Sequence, residues 1–284
     1  MRRRFEEQTC PANPHPQGGR GLRRRCAFTL VELLVVMGVI AVLATLTLVS
    51  VRAITDNARL SSATNTVMAS LDNARALAMK KNTIVLVVFR ARFEGNNKQV
   101  VEVVTAKWTG ESYLNLGPAV VDRFVPIPDV PVRSIPAGIK VAAPRYGPSA
   151  DEDNLWITQS HLPTIDPQPG VGEAPGKIIG IMYGPDGTTI TRNSQSDSNT
   201  SFVDFNNDGE LLFSDDINDQ ASENDEPFVA MAPFLAVFDD DEAREMFDST
   251  AWEDIDIRRA DLTEYITQFA DRIHFNRYTG VAMK

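Results

Sequence analysis

From Phe28 to Val51 the chain runs for 24 residues with a single charged side chain, Glu32. At about 1.5 Å per residue, a helix of that length covers roughly 36 Å, enough to cross the hydrocarbon core of a bilayer. Arg23, Arg24 and Arg25 stand directly before it. Basic flanks stay cytoplasmic, so the pattern predicts a cytoplasmic N-terminus and export of the residues C-terminal to the helix. A secretory signal peptide has an apolar core of only about 7–15 residues closed by a small-residue cleavage site, and this stretch outruns it. The chain is thereby constrained to an N-terminal membrane helix with a water-facing domain behind it.

A carboxylate in such a helix costs on the order of 2.5–3.5 kcal/mol on insertion scales, so Glu32 needs a compensating partner. Its neighbourhood is Ala27-Phe28-Thr29-Leu30-Val31-Glu32-Leu33-Leu34-Val35-Val36. This run closely resembles the prepilin cleavage and methylation signature of type IV pilins and type II secretion pseudopilins. The resemblance implies that a membrane aspartyl peptidase cuts between Ala27 and Phe28 and that the new amine of Phe28 is N-methylated. It also implies that Glu32 neutralises the N-terminal amine of an adjacent subunit during assembly. Two opposite charges, each costly in lipid, offset each other only at one axial stagger, so the pairing would set the subunit register. The family usually has Gly before the cut, where this chain has Ala27. Ala is also small, and processing is expected to survive.

The charge distribution separates the two parts. Residues 1–27 carry a net +5, so the remainder carries −15 against a formal total of −10. A basic, Pro- and Gly-containing leader fits an unfolded tail. An acidic domain repels nucleic acid and anionic lipid, which argues against nucleic-acid binding and leaves a divalent cation as a candidate ligand. Both cysteines, Cys10 and Cys26, lie in the leader, so a processed chain forms no disulfide. Arginines occupy the positions where a lipoprotein signal at Cys26 would need apolar residues. The expected organisation is a prepilin leader at 1–27, the transmembrane half of a helix at 28–51, its amphipathic half at 52–81, and a β-rich periplasmic domain at 82–284 with an acidic insert at about 204–256.

Beyond Arg52, Leu60, Ala63, Val67, Leu71, Ala74 and Ala78 recur at steps of three or four, with Arg59, Asn65, Asp72 and Arg75 off that face. No Pro interrupts the chain between Phe28 and Pro118, so one helix from about Phe28 to Lys81 is predicted, roughly 80 Å long by its rise per residue. Thr83–Phe89 and Gln99–Val104 flank a turn at Glu94–Asn97 and read as a β-hairpin. The segment from Leu71 to Thr83 with the strand after it is similar to the helix-to-sheet junction of H-type minor pseudopilins. Residues 117–176, rich in Pro and Gly, predict long surface loops around one or two strands. A second hairpin is expected at Lys177–Tyr183 and Thr188–Thr191 around Gly184–Gly187, and a third around Asn206–Gly209. Arg259 to Arg272 has a helical pattern, and Ile273–Phe275 looks like a closing strand. The expected class is α+β: a long N-terminal helix packed on an antiparallel, pilin-like sheet.

Asp204-Phe205-Asn206-Asn207-Asp208-Gly209, with Asp215 at the twelfth position, spaces side-chain oxygens as a calcium loop does. Alternate oxygens could converge on one hard cation while the Gly permits the sharp turn. Against this, Leu212 fills the ninth position, the twelfth residue is Asp and not a bidentate Glu, and both flanks read as strands. A hairpin turn closed by Asp-Gly is the preferred reading, with calcium at Asp204, Asn206, Asp208 and Asp215 as the alternative. Residues 204–256 hold 18 Asp or Glu, including Asp239-Asp240-Asp241-Glu242, and most of these are expected on a solvated face. A docking surface for a basic partner, or a second cation site, is the other option.

Nothing favours catalysis. After the leader only His161 and His274 remain, without cysteine, and the chain lacks Gly-x-Ser-x-Gly, a phosphate-cradling loop and His-Glu-x-x-His. The resemblance instead implies a filament subunit that requires no cofactor. It would work with other pseudopilin subunits, a prepilin peptidase and methyltransferase, an inner-membrane platform and an assembly ATPase in trans. It would be anchored once in the inner membrane and then built into a periplasmic pseudopilus. A type IV or competence pilin, or a membrane-tethered calcium-binding or hydrolytic domain, are the alternatives.

Overall fold

The computed structural model describes residues 30–94, 98–114, 120–145, 153, 155–158, 177–191, 200–209, 226–276 and 278–284, with backbone alone at 45–54, 93, 94, 98, 114 and 177. The chain divides into two compact units, Met1–Arg52 and Ala53–Lys284. Helix α1 spans Leu30–Lys81, the uninterrupted helix expected where no proline intervenes.

In the first unit, the described side chains from Leu30 to Ala44 are exposed. Among the described residues, no helix is long and apolar enough to cross a membrane. Phe28, Thr29 and the side chains of 45–54, which complete the apolar run in the sequence, lie outside the described residues.

In the second unit the expected stripe of α1 is buried: Ala63, Val67, Leu71, Ala74 and Ala78 are all fully inaccessible. Three of the five are alanines, so the backbone approaches its neighbours closely. The helix carries Lys80 and Lys81 in its last turn, where cations oppose the carbonyl dipole. Asn82 then turns left-handed at φ 48°, and the Thr83 amide donates to the Ala78 carbonyl at 3.2 Å, capping the end.

Thirteen strands come after α1 among the described residues: β1 (Val85–Glu94), β2 (Lys98–Leu114), β3 (Val120–Pro126), β4 (Arg133–Ser134), β5 (Ile139–Pro144), β6 (Trp156–Thr158), β7 (Lys177–Tyr183), β8 (Thr189–Ile190), β9 (Ser201–Val203), β10 (Phe228–Met231), β11 (Phe234–Asp239), β12 (Asp271–Phe275) and β13 (Ala282–Met283). The first two hairpins form as expected, with Val88 opposite Val104 and Met182 opposite Ile190. The first sheet is ordered β1-β2-β3-β9-β10-β7-β8, and β7 also pairs with β1. Six strands, β1, β2, β3, β9, β10 and β7, therefore close a ring. The β3–β9 and β10–β7 pairs are parallel.

These pairings correct the expected antiparallel, pilin-like sheet: the sheet is mixed and barrel-like. Tight turns announce antiparallel neighbours in a sequence, whereas parallel pairs join segments far apart in the chain and leave no local sign. The third hairpin, expected around Asn206–Gly209, falls in part on residues 210–225, outside the described residues. Strand β9 pairs with β3 and β10.

Alternation along the ring separates two cores. Leu86, Val88, Val104, Ala106, Phe124, Ile178, Met182, Val203, Val229 and Met231 form the inner cluster. Val85, Val87, Phe89, Ile179, Ile181 and Tyr183 face outward and meet α1 and the second sheet in a larger cluster. Both faces of β1 over Val85–Phe89 and of β7 over Ile178–Tyr183 are thus buried, which is why these segments are almost wholly apolar. Gly180 sits at the crowded point, where a Cβ would collide with Val229 Cγ1 and stand 3.1 Å from Leu86 Cδ1.

The second sheet, β13-β12-β11-β5-β6, is antiparallel throughout. Strand β5 places Ile139, Val141 and Ala143 in the larger core. The region expected to be mostly loop contains four strands, β3 to β6. Its prolines and glycines punctuate short strands, of which β5 is buried and β4 exposed. On the outer face lie helix α2 (Asp240–Met246), a 3-10 turn (Ser249–Glu253) and helix α3 (Ile255–Phe269). Ala142, Ala236, Phe238, Trp252, Leu262, Tyr265 and Ile266 pack there. Helix α3 starts four residues before the expected Arg259 because Asp254 accepts from the Asp256 amide as its N-cap. It ends at Phe269, since residues from Asp271 pair with β11.

Candidate functional site

Ala27 and Phe28, the expected cleavage and methylation positions, lie outside the described residues. Glu32 stands in the first turn of α1, where the exposed amide dipoles favour an acid. Around it Leu30, Val31, Leu33, Leu34, Val35 and Val36 are 50 to 80 % exposed.

The expected cation loop lies in the second unit, where β9 runs out into a turn. Asp204 is fully buried. Its Oδ1 accepts from the Asn207 amide at 2.5 Å, and its Oδ2 from the Gly209 amide at 3.1 Å. The turn needs left-handed backbone at Asn207 (φ 59°) and Gly209 (φ 82°), which explains the residue types there. Asn206 and Asp208 engage each other: the Asp208 amide donates to Asn206 Oδ1 at 3.0 Å, and Asn206 Nδ2 donates to Asp208 Oδ2 at 2.8 Å. Asp215 lies outside the described residues.

Two further residues complete this cluster, and sequence reasoning missed both. Carboxylate oxygens of Asp204, Asp208 and Glu226 all lie within 4.8 Å of one another, and Glu226 is buried. Arg123, on β3, sends Nε and Nη2 to Asp204 Oδ2 at 2.9 and 2.7 Å, while Nη2 also reaches Asn207 Oδ1 at 2.9 Å. Its Nη1 donates to Glu111. Burial alone would lower the guanidinium pKa, but hydrogen bonds to Asp204 and Glu111 outweigh it and raise it above its ordinary value. Arg123 stands 81 residues from Asp204, and they meet only because β3 and β9 run parallel. No spacing rule could have joined them.

Other ionisable groups are buried for the fold. Arg90 donates to Glu102 at 2.7 Å and lies 4.2 Å from the Phe205 ring centroid. Most of the described acids between 204 and 256 are exposed, as expected, but the run at 239–242 is half buried. Asp239 caps α2 by accepting from the Asp241 and Glu242 amides, and Asp240 pairs with Arg244 at 2.9 Å. Both are buried, while Asp241 and Glu242 are exposed.

The family model of the prokaryotic N-terminal methylation motif matches residues 22–48. The match supports a prepilin-type, type IV pilin-like protein. It encloses Ala27, Phe28 and Glu32 and leaves the second unit outside it. Comparison with curated proteins and with solved structures finds no significant match.

Proposed function

We propose that the chain is a structural filament subunit, a minor pseudopilin of a type II secretion system. The methylation-motif match at residues 22–48 carries this reading. In it, peptidase cleavage between Ala27 and Phe28 and methylation of Phe28 prepare the N-terminus. The first helix then holds the subunit in the inner membrane until a platform protein and an ATPase in trans build it into a periplasmic pseudopilus. The exposed apolar side chains from Leu30 to Leu43 support packing against lipid first and sibling helices afterwards. The H-type assignment is supported by the junction at which α1 closes on Asn82 and β1 starts at Val85. The second unit contributes surface and no catalysis, and it binds no nucleic acid.

Mass spectrometry of the mature N-terminus tests processing, with N-methylphenylalanine at Phe28 expected. An intact leader, or a cut beyond Val51, sinks the proposal. Glu32→Leu separates assembly from anchoring: the variant should still be cleaved and membrane-bound, yet enter filaments poorly. Filament incorporation and secretion equal to the parent's would remove Glu32 from the account.

A further inference from the structure

We propose that Arg123 is the resident cation of the Asp204–Gly209 turn, so that the turn neither requires nor takes a metal ion.

The argument starts from the lone pairs. An ionised carboxylate offers about four acceptor positions. Asp204 receives four N–H donors: the Asn207 amide on Oδ1, and the Gly209 amide with Arg123 Nε and Nη2 on Oδ2. Every donor points a positive hydrogen at the oxygen that a cation would have to reach. Calcium needs about 6–8 oxygens at roughly 2.3–2.6 Å, and a protonated guanidinium bound to the same oxygens both blocks and repels it. Three further side-chain oxygens of the loop also accept hydrogen bonds. Asn207 Oδ1 accepts from Arg123 Nη2, Asn206 Oδ1 from the Asp208 amide, and Asp208 Oδ2 from Asn206 Nδ2.

The guanidinium also does what a structural ion does in a loop of this spacing. It ties the turn to a distant element, since Arg123 belongs to β3 and reaches Glu111 on β2 as well. Unlike an ion it is covalently supplied, always charged and planar, so it fixes direction as well as charge.

The experiment compares thermal unfolding of the full-length chain in chelator and in millimolar calcium chloride. The wild type should unfold at the same temperature in both. Arg123→Met strands the buried Asp204 charge, and its midpoint in chelator should fall by roughly 10 °C. Calcium should recover part of that loss, because removing the guanidinium frees the Asp204 carboxylate to bind it beside those of Asp208 and Glu226. Arg123→Lys keeps a point charge and should fall between the two, with a weaker calcium response. The proposal is overturned if wild-type stability rises with calcium. It is equally overturned if neither variant responds to calcium, for then Arg123 is an ordinary ion pair and not a stand-in for a metal. Calorimetric titration of calcium into the wild type decides the first point even if Arg123→Met does not fold.

Discussion

Lys140 shows what burial does to one charge. It is almost wholly enclosed, and its Nζ donates to the Gln99 backbone carbonyl at 3.2 Å and to Gln99 Oε1 at 2.7 Å. Desolvation lowers its pKa from 10.5 to about 8, against the attraction of Asp240 and with a small push from Arg244. The unfolded chain therefore binds more protons than the folded one between about pH 8 and 10.5, so stability contributed by this residue rises with pH across that window. Urea midpoints at pH 7.5 and 9.5 should show the wild type gaining on Lys140→Met at the higher pH. Parallel shifts of the two proteins would exclude the residue as the source. The comparison belongs below about pH 10, because burial raises Tyr183 and Tyr265 above the ordinary phenol value, and their ionisation acts in the opposite direction.

At the scale of elements, patterning reports local partners and omits distant ones. The α1 stripe, the β1–β2 and β7–β8 hairpins and the strand at Ile273–Phe275 were legible, because apolar spacing and turn residues each act within a few positions. The ring was not legible. Its closure depends on β7 meeting β1 and on two parallel pairs, and neither carries a turn between the partners. The same separation hid Arg123 from Asp204, whereas Glu32 and its surroundings stood in one unbroken run. Gly180 is where the ring can be tested. Its missing side chain admits Val229 and Leu86, so Gly180→Val overpacks the interior and should cost on the order of 1–3 kcal/mol, occasionally more. Chemical denaturation measures this, and a neutral result would mean that the interior is not closed at that level.

At the scale of the molecule, the second unit holds its own cores, both sheets and the buried half of α1. A chain beginning at Ala53 is expected to fold without the preceding residues and to unfold in one cooperative transition. Circular dichroism would check this, and a broad, non-cooperative melt would show that the first unit is needed for folding. Such independence is what the proposed filament role would require of the second unit.

Closure of the six strands has a further consequence for contacts with other protein molecules. Each of the six ring strands has a neighbour on both sides, and among the described residues the free edges of this sheet are the two-residue strands β4 and β8. Edges so short give an added strand little to pair with, so the barrel is poorly suited to growth by strand addition. Contacts made by its wall must be written in side chains, which can be revised one residue at a time without inviting runaway stacking.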